Sequence, residues 1–204
     1  MDFEHISKEC GEHYLQFLRE LSLKCRQNEI ILSVDNPIPS RYSTQYNLKE
    51  QGQVVDYVII MGYDEHWGGG GVAGSVASIG FVEDGIAQTV ADVPANKVIN
   101  ALPFYTRVWK TKGDSVTSEA IDMETAQNFI KNNGVNMSWD PQTAQNYGEV
   151  EKGNTLYQIW MEDKDSIEAK LAVMRKYNIG GVAAWKLGYE TPDIWDMIAK
   201  YMDS

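Results

Sequence analysis

The chain is poor in the residues that mark metal sites, disulfide frameworks and nucleic-acid contacts. It has two cysteines and three histidines in 204 residues. Cys10 and Cys25 fall on one predicted helix, where a rise of about 1.5 Å per residue puts them roughly 22 Å apart, too far for a bridge. Both are read as small buried apolar residues. His5, His13 and His66 show no metal-ligand spacing, so no metal and no other cofactor is assigned. Positive charge is also scarce. Lys and Arg number 18 against 29 Asp and Glu, a net charge of −11. That argues against a nucleic-acid partner, since phosphate binding needs a basic face, and against an anionic membrane surface. No apolar run approaches the roughly 18 residues of a membrane span, and the acidic opening residues lead to the expectation of no secretory leader.

What the chain does have is 43% hydrophobic residues, enough for one domain with a sizeable core. Cys10, Tyr14, Phe17, Leu18, Leu21 and Cys25 recur at helical spacing and predict a helix over 8–27. Ile30–Asp35 reads as a short buried strand stopped by Asn36-Pro37, and residues 42–51 as a short helix. Val54–Tyr63 is a near-continuous β-branched run, the pattern of a parallel strand covered on both faces. A Gly68–Gly71 run lacks the Gly-Lys-Ser/Thr ending of a phosphate loop and is read as a flexible loop before a helix near 78–92. Val98–Tyr105 is another strand. Residues 110–160, with a helix near 122–133 and a polar hairpin near 137–160, look like an α+β insertion. An Asp165–Glu168 capping box opens a helix to about 177, followed by a strand Ile179–Trp185 and a helix from Thr191 to Met202.

This alternation predicts a parallel sheet with right-handed crossovers. Strand C-termini are where such folds place their chemistry, and four clusters sit there: Asp2/Glu4, Tyr63/Asp64, Tyr105/Arg107 and Trp185. Each alone has an ordinary structural explanation; all four at equivalent positions are harder to dismiss. If residues 2–4 are extended, Asp2 and Glu4 point to one face, and so do Tyr105 and Arg107.

Together these segments resemble the chitinase-like glycoside hydrolases of family 18. Met1-Asp2-Phe3-Glu4 is similar to the end of that family's fourth-strand acidic signature, and Met61-Gly62-Tyr63-Asp64 to its sixth-strand motif. Leu102–Trp109 resembles the seventh strand, Ile159–Asp163 the segment before the last helix pair, and Gly180–Trp185 the eighth strand. The resemblance implies an α/β fold, an incomplete (β/α)8 TIM barrel running from the end of strand 4 through helix 8, in a single partial catalytic domain over 1–204 with an insertion at about 110–160. Five strands are recognisable where a barrel needs eight, so the N-terminus is expected to be cut.

The resemblance also implies a chemistry. The substrate's own N-acetyl oxygen acts as nucleophile, Glu4 is the general acid, and Asp2 tunes Glu4 and steadies the acetamido group. Tyr63 and Asp64 hold that group or a sugar hydroxyl. Trp185 floors the subsite, while Met61, Tyr105 and Arg107 contact the sugar, and Trp67 and Trp109 serve as outer stacking platforms. The implied partner is an N-acetylglucosamine-containing polysaccharide or oligosaccharide, chitin-type or peptidoglycan, with an extracellular, cell-wall or spore setting. The compact loop after Tyr63 and the small insertion point to the bacterial cell-wall and spore-type members. The rival reading is a non-catalytic chitinase-like carbohydrate-binding protein, against which Glu4 speaks. The fragment alone is expected to be inactive and to self-associate through open barrel edges.

Overall fold

The computed structural model describes residues 1–202, arranged in two compact units. The first comprises Met1–Gly62, Asp84–Ala101 and Met174–Ala183; the second comprises Tyr63–Glu83, Leu102–Val173 and the chain from Ala184 onward.

The first unit is built on a four-stranded sheet in the order β1-β2-β3-β9, with β1 Ser33–Pro37, β2 Tyr57–Met61, β3 Val98–Pro103 and β9 Gly181–Trp185. β1, β2 and β3 pair in parallel. Along β1 and β2 burial alternates: Val34, Asn36, Val58 and Ile60 are sealed, and their neighbours are half-covered. Helix α1 (Gly11–Gln27) buries Tyr14, Leu15, Leu18, Ser22 and Cys25, one stripe at three- and four-residue spacing. Cys25 is buried as expected, whereas Cys10 is exposed. Helix α2 (Leu48–Val54) starts at Asn47, whose side chain caps the Glu50 N–H. Gln51 of α2 exchanges hydrogen bonds with Asn36 of β1 at 2.9 and 3.0 Å, both residues fully buried, so two polar side chains satisfy each other inside the core.

β1 begins later than its apolar run suggests. Ile30 and Ile31 are exposed, and pairing against β2 runs from Ser33↔Tyr57 to Pro37↔Met61. Pro37, expected to end the strand, is tolerated because β1 lies at the end of the sheet order, where a missing N–H breaks no inner ladder bond. Where β2 ends, Gly62 passes so close to β3 that a Cβ would stand 2.5 Å from the Asn100 Oδ1 and 2.9 Å from the Ala101 carbonyl.

The second unit carries a five-stranded antiparallel sheet in the order β5-β4-β8-β7-β6, made of β4 Tyr105–Lys112, β5 Ser115–Asp122, β6 Asn136–Asp140, β7 Gln145–Lys152 and β8 Thr155–Trp160. The expected hairpin is therefore part of a larger sheet that starts at Tyr105. β5 shows no clear apolar stripe: half of its residues are exposed and none is fully buried. Helix α4 (Met123–Asn133) is capped by Asp122, which accepts from the Thr125 N–H and hydroxyl, and ends on Gly134 at φ 62°. A core of Val108, Ala126, Ile159 and Met161, flanked by Phe129, Ile130 and Tyr157, joins α4 to one face of the sheet. Helix α3 (Ile79–Val90) begins in the second unit and ends in the first, as does α5 (Lys164–Lys176). The cap of α5 is two residues earlier than the Asp165–Glu168 reading: Asp163 and Ser166 exchange backbone-to-side-chain bonds at 3.0 and 3.1 Å. The last helix, α6 (Asp193–Met202), buries Ile194 and Met197.

Glu162 is the most deeply committed ionisable group of the second unit. Its carboxylate accepts from Lys170 Nζ at 2.9 and 3.0 Å, from the Gln145 amide and from the Ser166 hydroxyl, and its own N–H donates to Thr106 Oγ1. Glu162 and Lys170 have essentially no exposed surface. Burial pushes the Glu162 carboxyl up to about 7, against the downward pull of Lys170 and Ser166. Lys170→Met removes that pull and raises the folded-state value further. An acid whose folded value lies above its unfolded one, about 4.3, contributes most at low pH and loses that contribution as pH rises. The variant should therefore lose about 3–5 kcal/mol at pH 8 and clearly less at pH 5, measured by urea unfolding. Equal losses at both pH values would mean that the missing interaction is packing rather than charge.

Candidate active site

In the second unit the side chains of Asp64, Tyr105 and Arg107 meet. Asp64 follows the end of β2 in the left-handed region, φ 60°, a conformation that Asp tolerates better than most residues. Its Oδ1 accepts the Tyr105 hydroxyl at 2.6 Å and lies 3.8 Å from Arg107 Nη2. Tyr105 and Arg107 are two apart on β4 and so share a sheet face, as expected, although that strand belongs to the antiparallel sheet rather than to the end of β3. Burial, reinforced by the Asp64 carboxylate, pushes the Tyr105 phenol far above its ordinary value, so it stays a hydrogen-bond donor. Tyr63 packs edge-on against Tyr105, with ring centroids 6.1 Å apart. Arg107 also donates to Ser118 Oγ at 3.1 Å, while its Nε is buried without a partner. Orphaned buried donors are rare in folded proteins and call for an explanation. Half of the Asp64 side chain remains exposed, so the carboxylate is held in place yet reachable.

The aromatic candidates separate. Trp185 is 51% exposed at the end of β9, and its carbonyl accepts the Phe104 N–H at 2.7 Å. Trp67 is 55% exposed and lies over Gly69, where a Cβ would stand 2.0 Å from its ring. Trp109 is a correction. It is 1% exposed, and its indole N–H donates to the Gly74 carbonyl at 2.8 Å, so it has no free face to stack on a sugar. The loop that covers it is cinched by Ser78, which donates to Glu65 through both N–H and hydroxyl, and by a His66 Nδ1 contact to the Ser75 carbonyl at 2.8 Å.

In the first unit Asp2 forms an isolated parallel bridge with Asp35, fixed by the Asp35 N–H to the Met1 carbonyl and by the Met1 ammonium to the Ser33 carbonyl. The bridge does not extend to Glu4. His5 next to it has φ 57°, and the Glu4 carboxylate is more than half exposed, 3.9 Å from the His5 ring. Met61, the last residue of β2, is half-buried. Asp35 was missed by the sequence reading. It is half-buried, and burial first, then the neighbouring Asp2, pushes its carboxyl up, with the chain's ammonium pulling down. The signal was an acid placed inside an apolar strand run.

Comparison with known proteins adds the lineage. The cortical fragment-lytic enzyme of Bacillus subtilis (strain 168) is 31% identical over 212 residues, covering 97% of this chain and 48% of that protein. The chain thus spans about half the length of the curated relatives it matches. Among solved structures, the Bacillus cereus spore cortex-lytic enzyme SleL superposes with a TM-score of 0.88 at 26% identity, over 98% of this chain and 47% of that one. A chitinase from Chromobacterium violaceum ATCC 12472 superposes with a TM-score of 0.89 at 23% identity, over 100% and 65%. The family model for glycosyl hydrolases family 18 matches residues 1–190, and the chain belongs to that family.

Proposed function

We propose that this chain carries much of the catalytic site of a glycosidase that cleaves β-1,4 bonds next to N-acetylglucosamine, with bacterial cell-wall or spore-cortex glycan as the favoured substrate over chitin. The observation that carries the reading is the Asp64–Tyr105–Arg107 cluster directly after Tyr63: a reachable carboxylate whose orientation is fixed by a phenol and a guanidinium. Such a group is suited to gripping a sugar's acetamide or hydroxyl. The names of the relatives in the spore cortex-lytic group support the choice of glycan. The fold supports the finer architecture as well, an incomplete (β/α)8 barrel in which the antiparallel sheet is an insertion between its last two strands.

In this reading Glu4 protonates the glycosidic oxygen, and Asp2 stabilises the acetamido group as it becomes positive. The acetamido oxygen of the substrate attacks the anomeric carbon, so the enzyme supplies no nucleophile of its own. Tyr63 donates to that group and Asp64 accepts from it, Tyr105, Arg107 and Met61 hold the distorted ring, and Trp185 and Trp67 stack on the sugar's apolar faces. The non-catalytic alternative keeps the same grip without turnover.

Three outcomes test this. Within a complete parent protein, Glu4→Gln should lower turnover of a chromogenic N-acetylglucosamine oligomer by about 10² to 10⁴ while sparing its binding, because an amide keeps the shape but gives no proton; retention of more than a tenth of the activity removes Glu4 from the acid role. Matched acetylated and deacetylated oligomers should differ completely, only the former being cleaved; equal rates would point to an enzyme carboxylate as nucleophile. By itself the chain should be inert and should self-associate, since β1 and β9 end the sheet order and β1 is covered only by the single bridge from Asp2. A monomer at micromolar concentration with a sharp thermal transition, by size exclusion and calorimetry, would count against that.

A further inference from the structure

Resting on the reading above, we propose that Trp160 and Tyr147 form an additional sugar subsite next to Arg107, one that takes the N-acetylhexosamine residues of a long glycan and leaves short ones untouched. The placement follows from strand register. β4 and β8 pair antiparallel with Val108 opposite Ile159 and Trp109 opposite Gln158. The ladder ends at Val108 and Ile159; continued by one step, the same register sets Arg107 beside Trp160, and Trp160 is paired with Tyr147 of β7. Arg107, Trp160 and Tyr147 therefore form one row across the sheet, on the face opposite the Val108–Ile159–Ala126 core. The row starts at the residue that contacts Asp64 and leads away from it.

Its chemistry suits a pyranose. The Trp160 and Tyr147 rings lie 4.7 Å apart at 45°, both half-buried, so each is braced by the other and keeps part of a face open. Polar groups border them: the Gln158 amide donates to the Tyr147 hydroxyl at 2.8 Å, and that hydroxyl donates to the Glu149 carboxylate. Rigid aromatic faces edged by amide, hydroxyl and carboxylate match a sugar ring, which has apolar C–H faces and an equatorial belt of hydroxyls. Neighbouring strands are about 4.8 Å apart, close to the length of one pyranose unit, so successive sugars step from Arg107 to Trp160 to Tyr147. The occupant is an extended β-1,4 glycan continuous with the one held at Asp64. A peptide or apolar ligand would leave the Gln158–Tyr147–Glu149 edge unused.

The test uses a complete parent protein containing this chain, with Glu4→Gln so that ligands survive, and measures binding of the N-acetylglucosamine dimer and hexamer by calorimetry. Trp160→Ala should weaken hexamer binding about tenfold and change dimer binding less than twofold, and Trp160→Phe should restore most of the loss. Tyr147→Ala, at the end of the row farther from Arg107, should give a smaller loss in the same direction, and carries the test if Trp160→Ala does not fold. Equal weakening of both oligomers, or no weakening of either, overturns the subsite. A parent that binds neither oligomer overturns the proposed function itself, and this inference with it.

Discussion

The second unit is organised around one buried carboxylate. Glu162 sits where β8 gives way to α5, and its partners come from β4, β7 and α5: the Thr106 hydroxyl, the Gln145 amide, and Ser166 with Lys170. A charge in so dry a place is tolerated only when its hydrogen-bonding capacity is filled, and removing any partner leaves an expensive vacancy. The network therefore acts less as a source of net stability than as a specification. It dictates where β8 ends and how β4 and β7 are phased against it. Val108 stands opposite Ile159 in the ladder that runs up to Glu162.

Part of this was legible in the sequence and part was not. The alternation of Tyr105 and Arg107 announces a common face, and their joint approach to Asp64 follows from it. The β-branched run before Tyr63 announces β2. β5 was invisible because Ser115–Asp122 packs little of its side-chain surface, leaving polarity rather than periodicity in the text. β1 slipped because Ile30 and Ile31 look like strand residues yet have no partner strand, whereas Asn36 looks like a stop yet bonds to Gln51. Local composition cannot see a tertiary partner, and here the partner decided.

The tryptophans make the same point about function. Trp109 and Trp160 are both aromatic residues on the same face of neighbouring strands, and nothing in their local sequence separates them. A loop separates them: the Gly74 carbonyl takes the Trp109 indole N–H and roofs that ring, while Trp160 keeps part of its surface. Whether an aromatic ring is core or contact is thus settled by a segment some 35 residues away in sequence. Asp35 is the converse case. An acid within an apolar strand is conspicuous in the sequence, but its neighbour Asp2 becomes apparent only once the parallel bridge is formed.

The crowding at Gly62 has a consequence for anyone reshaping this protein. The four residues Met61-Gly62-Tyr63-Asp64 look like a single functional word, but they are two words spelled together. Gly62 answers to β3, since no side chain fits against Asn100 and Ala101, while the two residues after it pack against and bond to Tyr105. A randomised library spanning all four positions would waste nearly all its members on misfits at the second, and would make the motif look far more catalytically intolerant than it is. Holding Gly62 fixed and diversifying its neighbours separates what the fold forbids from what the reaction forbids.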